Sequence, residues 1–315
     1  MNIVFLGTPE FALPALEALL KTSWIQVLAV GTQIDKEAGR RMNILEPPVK
    51  KQAREKGLEV FQSTKISKEP NVIQKIKDLK PDVIVSCAYG QILNEEILNI
   101  APGGVINVHA SLLPRYRGAA PINWAILNGE TETGITIMKT ELGLDSGPII
   151  LQEKCKIDEN ETSLELSSKL SLLGAKTLIA ALELIRDGKA KFILQDNTKA
   201  TKAPMLKKVL GLIDWNDTSK NIHNKIRGLV PWPSAYTHFQ GRTIKIWDNR
   251  DVARNVSEEL HNISPGTIVE IGDYVKVKTK DGYLNIYELQ PENKKIIKAK
   301  DWINGARVKI GDKFE

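Results

Sequence analysis

Residues 106–126 read INVHASLLPRYRGAAPINWAI, with an amide and an imidazole two positions apart at Asn107 and His109. On an extended strand, side chains at i and i+2 share a face. An amide placed there can donate to an oxygen on which negative charge develops. An imidazole beside it can move a proton near neutral pH. A third group must orient that imidazole, and Asp145 in GLDSGPII is the candidate. It lies in a glycine-flanked turn after a strand, where backbone can approach closely. Each residue also has an ordinary structural reading. Asn at a strand end is commonly a turn residue, His among apolar residues a satisfied structural one, and Asp between Gly and Ser a loop cap. Spacing alone leaves both readings open.

Other catalytic kits are missing from the chain. There is no GxSxG, Walker loop or HExxH, and no GxGxxG after the first strand. The single-glycine turn at Gly7 gives a dinucleotide little support. The two cysteines, Cys87 and Cys155, form no CxxC pair and no ligand cluster with the four histidines. A disulfide scaffold and a metal site are therefore not expected. Cys87 reads as a small packed hydrophobe rather than a nucleophile. Among the tryptophans, Trp215, Trp232 and Trp247 could stack on nucleotides, although core positions are more common.

The elements that must position the trio follow an α/β rhythm. Strands are expected over residues 2–6, 25–30, 81–86, 105–108 and 135–138. Helices are expected over 11–21, 121–127 and 163–186, with another just before residue 81. This alternation predicts a parallel α/β sheet, whose ligands bind outside the carboxyl ends of the strands. Asn107 and His109 lie at such an end. After a polar, proline-containing linker at 196–208 the pattern changes. A short helix over 219–228 precedes strand-like pieces at 243–247, 266–271, 274–278 and 282–289. Short strands with glycine turns suggest a small β-barrel of the oligonucleotide-binding (OB) type. The chain has 315 residues, which suggests two domains.

At 42% hydrophobic and 26% charged, the chain reads as a soluble globular protein. Its start, MNIVFLGTPEF, is unlike a secretory leader, and no apolar run is long enough for a membrane helix. A reducing, cytoplasmic setting is expected. A monomer is expected as well, because no exposed apolar repeat suggests an interface. The net charge of +6 does not mark out one domain. Residues 209–315 hold 17 basic and 14 acidic side chains, and the remainder has the same surplus of three. Residues 33–57, which include Lys36, Arg40 and Arg41, are too long and basic for a plain βα connection. They read as a solvated excursion or as a loop that grips phosphates.

The motifs together resemble the methionyl-tRNA formyltransferase family, within the wider group of enzymes that use 10-formyltetrahydrofolate. The resemblance runs along nearly the whole chain. It includes FLGTPEFALPALEAL, VSCAYGQIL, the 106–126 segment and GITIMKTELGLDSGPII. It continues through LIDWNDTSKNIHNKIRGLVPWPSAYT, DGYLNIYELQPENKK and DWINGARVKIGDKF. The Asn-x-His…SLLP…Asp core is shared by the formyl-folate enzymes. The IDWN…IHNKIRGLVPWP segment is specific to the tRNA enzymes and close multidomain relatives.

The resemblance implies a Rossmann-like formyltransferase domain over residues 1–203 and a C-terminal, tRNA-binding β-barrel over 204–315. It implies that Asn107, His109 and Asp145 are catalytic. Ser111, Leu112, Leu113 and Pro114 match the family's tetrahydrofolate-binding stretch, and Tyr89, Gly90, Gln91, Ile92 and Leu93 would line the folate pocket. Residues 33–57 correspond in position to an inserted tRNA-contacting loop. Lys36, Arg40 and Arg41 remain there, although a proline and a glycine of the family pattern are replaced. Lys207 and Lys208 in the linker are further candidates for backbone phosphates. The implied reaction moves the formyl group of 10-formyltetrahydrofolate, a cosubstrate rather than a bound cofactor, to the α-amino group of initiator methionyl-tRNA. No metal is implied.

There are two alternatives, a second enzyme reading and one from another class. A 10-formyltetrahydrofolate hydrolase or amino-sugar N-formyltransferase would share the trio but need neither the barrel nor the basic loop. A non-catalytic RNA-binding protein would not need the complete trio.

Overall fold

The computed structural model describes residues 1–38, 43–249, 252–253 and 262–315. Its strands and helices, in chain order, begin with β1 (Asn2–Gly7), α1 (Leu13–Lys21), β2 (Gln26–Gln33), β3 (Lys36–Ala38) and β4 (Asn43–Leu45). They continue with α2 (Pro48–Glu55), β5 (Val60–Ser63), α3 (Pro70–Asp78), β6 (Val83–Cys87), α4 (Glu95–Leu98) and β7 (Val105–His109). Next come α5 (Pro121–Leu127), β8 (Glu132–Lys139), β9 (Ile149–Lys156), α6 (Ser163–Arg186) and α7 (Ser219–Gly228). The last are β10 (Ala235–Phe239), β11 (Arg242–Asp248), β12 (Val252–Ala253), β13 (Ile268–Ile271), β14 (Val275–Lys278), β15 (Tyr283–Ile286), β16 (Glu288–Pro291), β17 (Ile297–Lys298) and α8 (Ala299–Ala306).

The chain divides into two compact units. One comprises residues 1–121, 132–156 and 167–204, and the other 122–131, 157–166 and 205–315. The first holds a seven-stranded sheet in the order β5-β2-β1-β6-β7-β8-β9. Strands β5 to β7 run parallel, and their near-continuous apolar runs suit a sheet buried on both faces. Val4, Leu6 and Ile84 of β1 and β6 pack with Ile73 and Ile76 of α3 in one core. A proline in the first turn opens each of α1, α2 and α3, where no N–H partner is lost.

Two strands depart from the parallel expectation. β8 runs antiparallel to β7, and β9 antiparallel to β8. Chain length explains the second reversal: a parallel partner needs a crossover of a dozen or more residues, whereas β8 and β9 are joined only by the turn between Lys139 and Ile149. The connection from β7 to β8 carries α5 and is long enough for a parallel return, yet β8 enters the sheet antiparallel.

The segment 33–57 is not one loop. It comprises the β3–β4 hairpin and helix α2, whose Val49 and Ala53 are fully buried. Arg40 and Arg41 lie outside the described residues. Part of the segment's positive charge is already compensated. Lys50 Nζ lies 2.7 Å from Asp35 and 3.2 Å from Glu46, and Arg54 lies 2.8 Å from Glu46. Lys50 and Gln62 hold the Asp35 carboxyl below its ordinary range.

The second unit holds two four-stranded sheets, β10-β11-β16-β17 and β12-β15-β14-β13, with every pairing antiparallel. One apolar core joins residues of both sheets, α7 and α8. At its centre Trp215 and Trp302 each stack on Phe314, with centroids 5.6 and 5.7 Å apart. The single strand expected over 282–289 is two strands. β15 pairs with β14, and after Tyr287 β16 pairs with β11 in the other sheet. Such a switch between sheets forms the corner of a barrel-like sandwich.

Candidate active site

β7 lies between β6 and β8 in the middle of the first unit's sheet. Asn107 is opposite Ser86 and Met138, and His109 is opposite Thr136. The period of two puts Asn107 and His109 on the same face. His109 is buried, at 6% exposed. Its Nε2 lies 3.0 Å from the Tyr116 carbonyl oxygen. A carbonyl only accepts, so Nε2 carries the proton and donates it. Nδ1 then faces Asp145, with Oδ2 at 3.7 Å. That gap is too long for a hydrogen bond.

Asn107 differs from its neighbour. It is half-buried, and among the described residues none hydrogen-bonds its side-chain amide. A half-buried amide left uncommitted beside an anchored imidazole is a donor awaiting an acceptor.

Asp145 sits in the turn between β8 and β9 at φ +48°. Its Oδ2 accepts the Gly118 N–H at 2.8 Å. Lys139 N–H donates to the Pro148 carbonyl and closes the turn at 3.0 Å. Gly147 is required there, because a Cβ would fall 1.9 Å from the Lys139 carbonyl oxygen.

The segment after β7 is fixed from two sides. On the sheet side, the Thr136 hydroxyl donates to the Ser111 carbonyl at 2.6 Å and accepts the Leu113 N–H at 3.1 Å. Gln152 Nε2 donates to that same hydroxyl and to the Leu113 carbonyl, at 2.8 and 2.9 Å. On the other side, after a single 3-10 turn at Asn197–Lys199, runs the segment 200–203. Tyr116 N–H donates to Thr201 Oγ1 at 2.8 Å, and Arg117 N–H to the Thr201 carbonyl at 2.9 Å. Gly118, at φ +124°, passes so close that a Cβ would meet the Ala203 carbonyl oxygen at 2.6 Å.

The structure sorts the sequence-derived binding residues by what they already hold. Ser111 is fully buried and its hydroxyl donates to the Arg115 carbonyl at 2.6 Å. Leu113 packs with Met138 and Ile149. Leu112 and Pro114 are half-buried. Tyr89 and Leu93 belong to the core beneath the sheet. Gln91 accepts the Ile66 N–H at 2.7 Å and donates to the Ser63 carbonyl at 2.6 Å. Gly90 lies against Gln33, whose Nε2 a Cβ would meet at 2.3 Å. Ile92 alone of these five is a strongly exposed side chain, at 86%. Lys36 and, in the other unit, Lys207 and Lys208 are exposed. Cys87 ends β6 fully buried, and burial pushes its thiol up to about 12, which leaves no reactive thiolate at neutral pH. Trp215 is a core residue donating Nε1–H to Thr237 at 3.0 Å, whereas Trp232 is exposed.

Sequence reasoning missed Tyr116, Thr136, Gln152, Gln195 and Thr201, and expected Gly118 only to fix the loop with its neighbouring prolines, not to hold the Asp145 carboxylate. Several act through backbone atoms, and the rest are single polar residues in segments without periodicity. Nothing in their local sequence signals the role.

Residues 1–182 match the family described as formyl transferase, and residues 205–307 match its C-terminal domain. The chain is similar to the methionyl-tRNA formyltransferase of Acetivibrio thermocellus, with 44% identity over 313 residues and 99% of each chain covered. It is similar to that of Clostridioides difficile, with 43% identity over 312 residues and again 99% of each. Among solved structures it resembles WlaRD, a sugar 3N-formyl transferase studied in the presence of dTDP and 5-N-formyl-THF. The TM-score is 0.69 at 22% identity, over 94% of this chain and 99% of that one. It also resembles HypX from Aquifex aeolicus in complex with tetrahydrofolic acid, with a TM-score of 0.64 at 16% identity. That match takes in 99% of this chain, which spans about half, 48%, of HypX. At such identities the two structures speak for the fold.

Proposed function

The chain belongs to the formyl transferase family, and we propose that it moves the formyl group of 10-formyltetrahydrofolate to the α-amino group of initiator methionyl-tRNA. The product is N-formylmethionyl-tRNA for translation initiation. The observation that carries the chemistry is the uncommitted Asn107 amide on the same strand face as the His109–Asp145 pair. The acceptor follows from the similarity to methionyl-tRNA formyltransferases over 99% of both chains.

The donor supplies an activated formyl carbonyl. A bond forms between the methionyl nitrogen and the formyl carbon, and the bond from that carbon to the folate nitrogen breaks. One proton leaves the amine and one is returned to the departing nitrogen. Asn107 donates to the formyl oxygen as it becomes an oxyanion. His109 keeps Nε2–H on the Tyr116 carbonyl, so Nδ1 is the nitrogen that handles the proton. Asp145 compensates the imidazolium when Nδ1 is protonated. Gly118 N–H holds the carboxylate in place meanwhile. The exposed Ile92 and the backbone at Gly90 offer a surface for the flat ring of the donor, while Ser111 to Pro114 shape the adjoining wall.

Lys36, Arg40, Arg41, Lys207 and Lys208 supply charge for tRNA phosphates in this reading. The catalytic part is taken as residues 1–203 and the tRNA-binding part as 204–315. The enzyme is taken to work as a monomer in the cytoplasm; among the described residues no helix is long and apolar enough to cross a membrane. The test offers the protein and 10-formyltetrahydrofolate three acceptor conditions: initiator methionyl-tRNA, elongator methionyl-tRNA, and none. Formylation of the initiator alone is expected. Formate release independent of acceptor would replace the transferase with a hydrolase.

A further inference from the structure

Among the described residues, the Asp145 carboxylate is held to the loop after β7 by a single hydrogen bond, from Gly118. The backbone of the same turn is held by one more side chain, Gln195. Its Nε2 donates to the Asp145 carbonyl at 2.9 Å and to the Gly147 carbonyl at 2.7 Å. Its Oε1 accepts from Arg117 Nε at 3.1 Å and Nη2 at 2.7 Å. Arg117 Nη2 also donates to Asn197 at 2.8 Å. The amide orientation is forced by these partners, since two carbonyls can only accept and a guanidinium can only donate.

We propose that Gln195 is a positioning residue for the proposed reaction: it locks the Asp145 turn onto Arg117 and so fixes where the carboxylate stands against His109 Nδ1. The juxtaposition has a simple logic. Arg117 and Gly118 are adjacent in sequence. One grips Gln195 and the other grips Asp145, so the turn is tied to one dipeptide by both its backbone and its side chain. The dipeptide follows Tyr116, whose carbonyl holds the other face of the imidazole. Both partners of His109 are thus set by three consecutive residues, and Gln195 is the tie that reaches the turn's backbone.

Only glutamine fits this role. Glutamate would keep Arg117 but lacks the two N–H donors, and would turn an oxygen onto two carbonyls. Asparagine is one methylene short. Misplacing a reacting group by about 1 Å can cost 100-fold in rate.

The inference rests on the proposed function for its catalytic meaning, but its deciding readout does not need turnover. Protein labelled with 15N-histidine gives ring signals from four histidines. The His109 signals are assigned by their loss in His109→Asn, and Asp145→Asn marks where they go without the carboxylate. In Gln195→Ala and Gln195→Glu the His109 signals are expected to move toward the Asp145→Asn positions, with the other three unmoved. The formylation kcat should fall about 10–100-fold at nearly constant KM. His109 signals that stay at wild-type positions in both variants overturn the proposal. If all four histidines move in Gln195→Ala, Gln195→Met, which keeps the side chain's length, decides. Movement of all four there too means a structural role and overturns it equally. A wild-type protein that transfers no formyl group refutes the proposed function, while the histidine signals still decide whether Gln195 positions Asp145.

Discussion

At Asn107 chemistry and stability separate. No described residue hydrogen-bonds the side chain, so removing it leaves no described polar group unsatisfied. An oxyanion donor contributes roughly 3–4 kcal/mol in the transition state. Asn107→Ala is therefore expected to lower kcat about 100–1000-fold while changing unfolding stability by about 0.5 kcal/mol or less. Steady-state kinetics and urea unfolding on the same preparation check both halves. The pair at 107 and 109 was legible in the sequence because the strand period fixes relative direction before anything else is known. Asp145 was legible as the candidate partner of His109, but not how it is held there. Its approach to His109 depends on Gly118 and Gln195, which are 27 and 50 residues away from it. Contacts made across such separations leave no pattern in the local sequence.

At the scale of elements, Thr136 of β8 shows how a neighbouring strand shapes the loop after β7. One hydroxyl serves Ser111, Leu113 and Gln152. Thr136→Val keeps the shape and strands those partners in a fully buried place. A cost of about 1–3 kcal/mol in unfolding free energy is expected, together with reduced formylation, measured by urea titration and by activity. The β3–β4 hairpin carries a different expectation. Lys36 of β3, and Arg40 and Arg41 further along the sequence, are the candidate phosphate contacts, and each lost contact lowers the salt slope by about one. Lys36→Ala/Arg40→Ala/Arg41→Ala should flatten the dependence of log K on log salt by up to about three. Lys50→Ala should not, since Lys50 already serves Asp35 and Glu46. Binding titrations at several salt concentrations compare the two.

Elements with strong periodicity could be read in advance. β1, β7, α5, α6 and α7 lie within a residue or two of their expected spans, whereas α2 and β9 were not foreseen. α2 buries only Val49 and Ala53, too few apolar positions to show a helical period. β9 is an edge strand with three consecutive exposed residues, so its alternation is broken.

On the scale of the whole molecule, the barrel-like unit was visible as short strands and glycine turns, but its two-sheet arrangement was not. Nothing local tells Tyr287 to divide one apolar run between two sheets. The second unit also carries the clearest pH dependence. His223 is 1% exposed and donates to the Glu159 carbonyl at 3.0 Å. Burial first, with Arg227 and Lys220 adding to it, holds its folded pKa below the ordinary 6.5. The unfolded chain therefore binds a proton below about pH 6.5 that the folded unit resists. Its contribution is full above that pH and is lost as pH falls through the folded value. Urea midpoints measured from pH 7.5 to 5 are expected to decline, and less steeply in His223→Gln.

The most direct test of formyl transfer to the tRNA is the stoichiometry of a single reaction. Protein, limiting 10-formyltetrahydrofolate and excess initiator methionyl-tRNA are mixed, and donor consumed is compared with formyl groups recovered on the methionyl nitrogen. One formyl group on tRNA per donor consumed, abolished in His109→Ala, is the expected result. Donor consumed with formate as the product, or formylation that persists undiminished in His109→Ala, would contradict it.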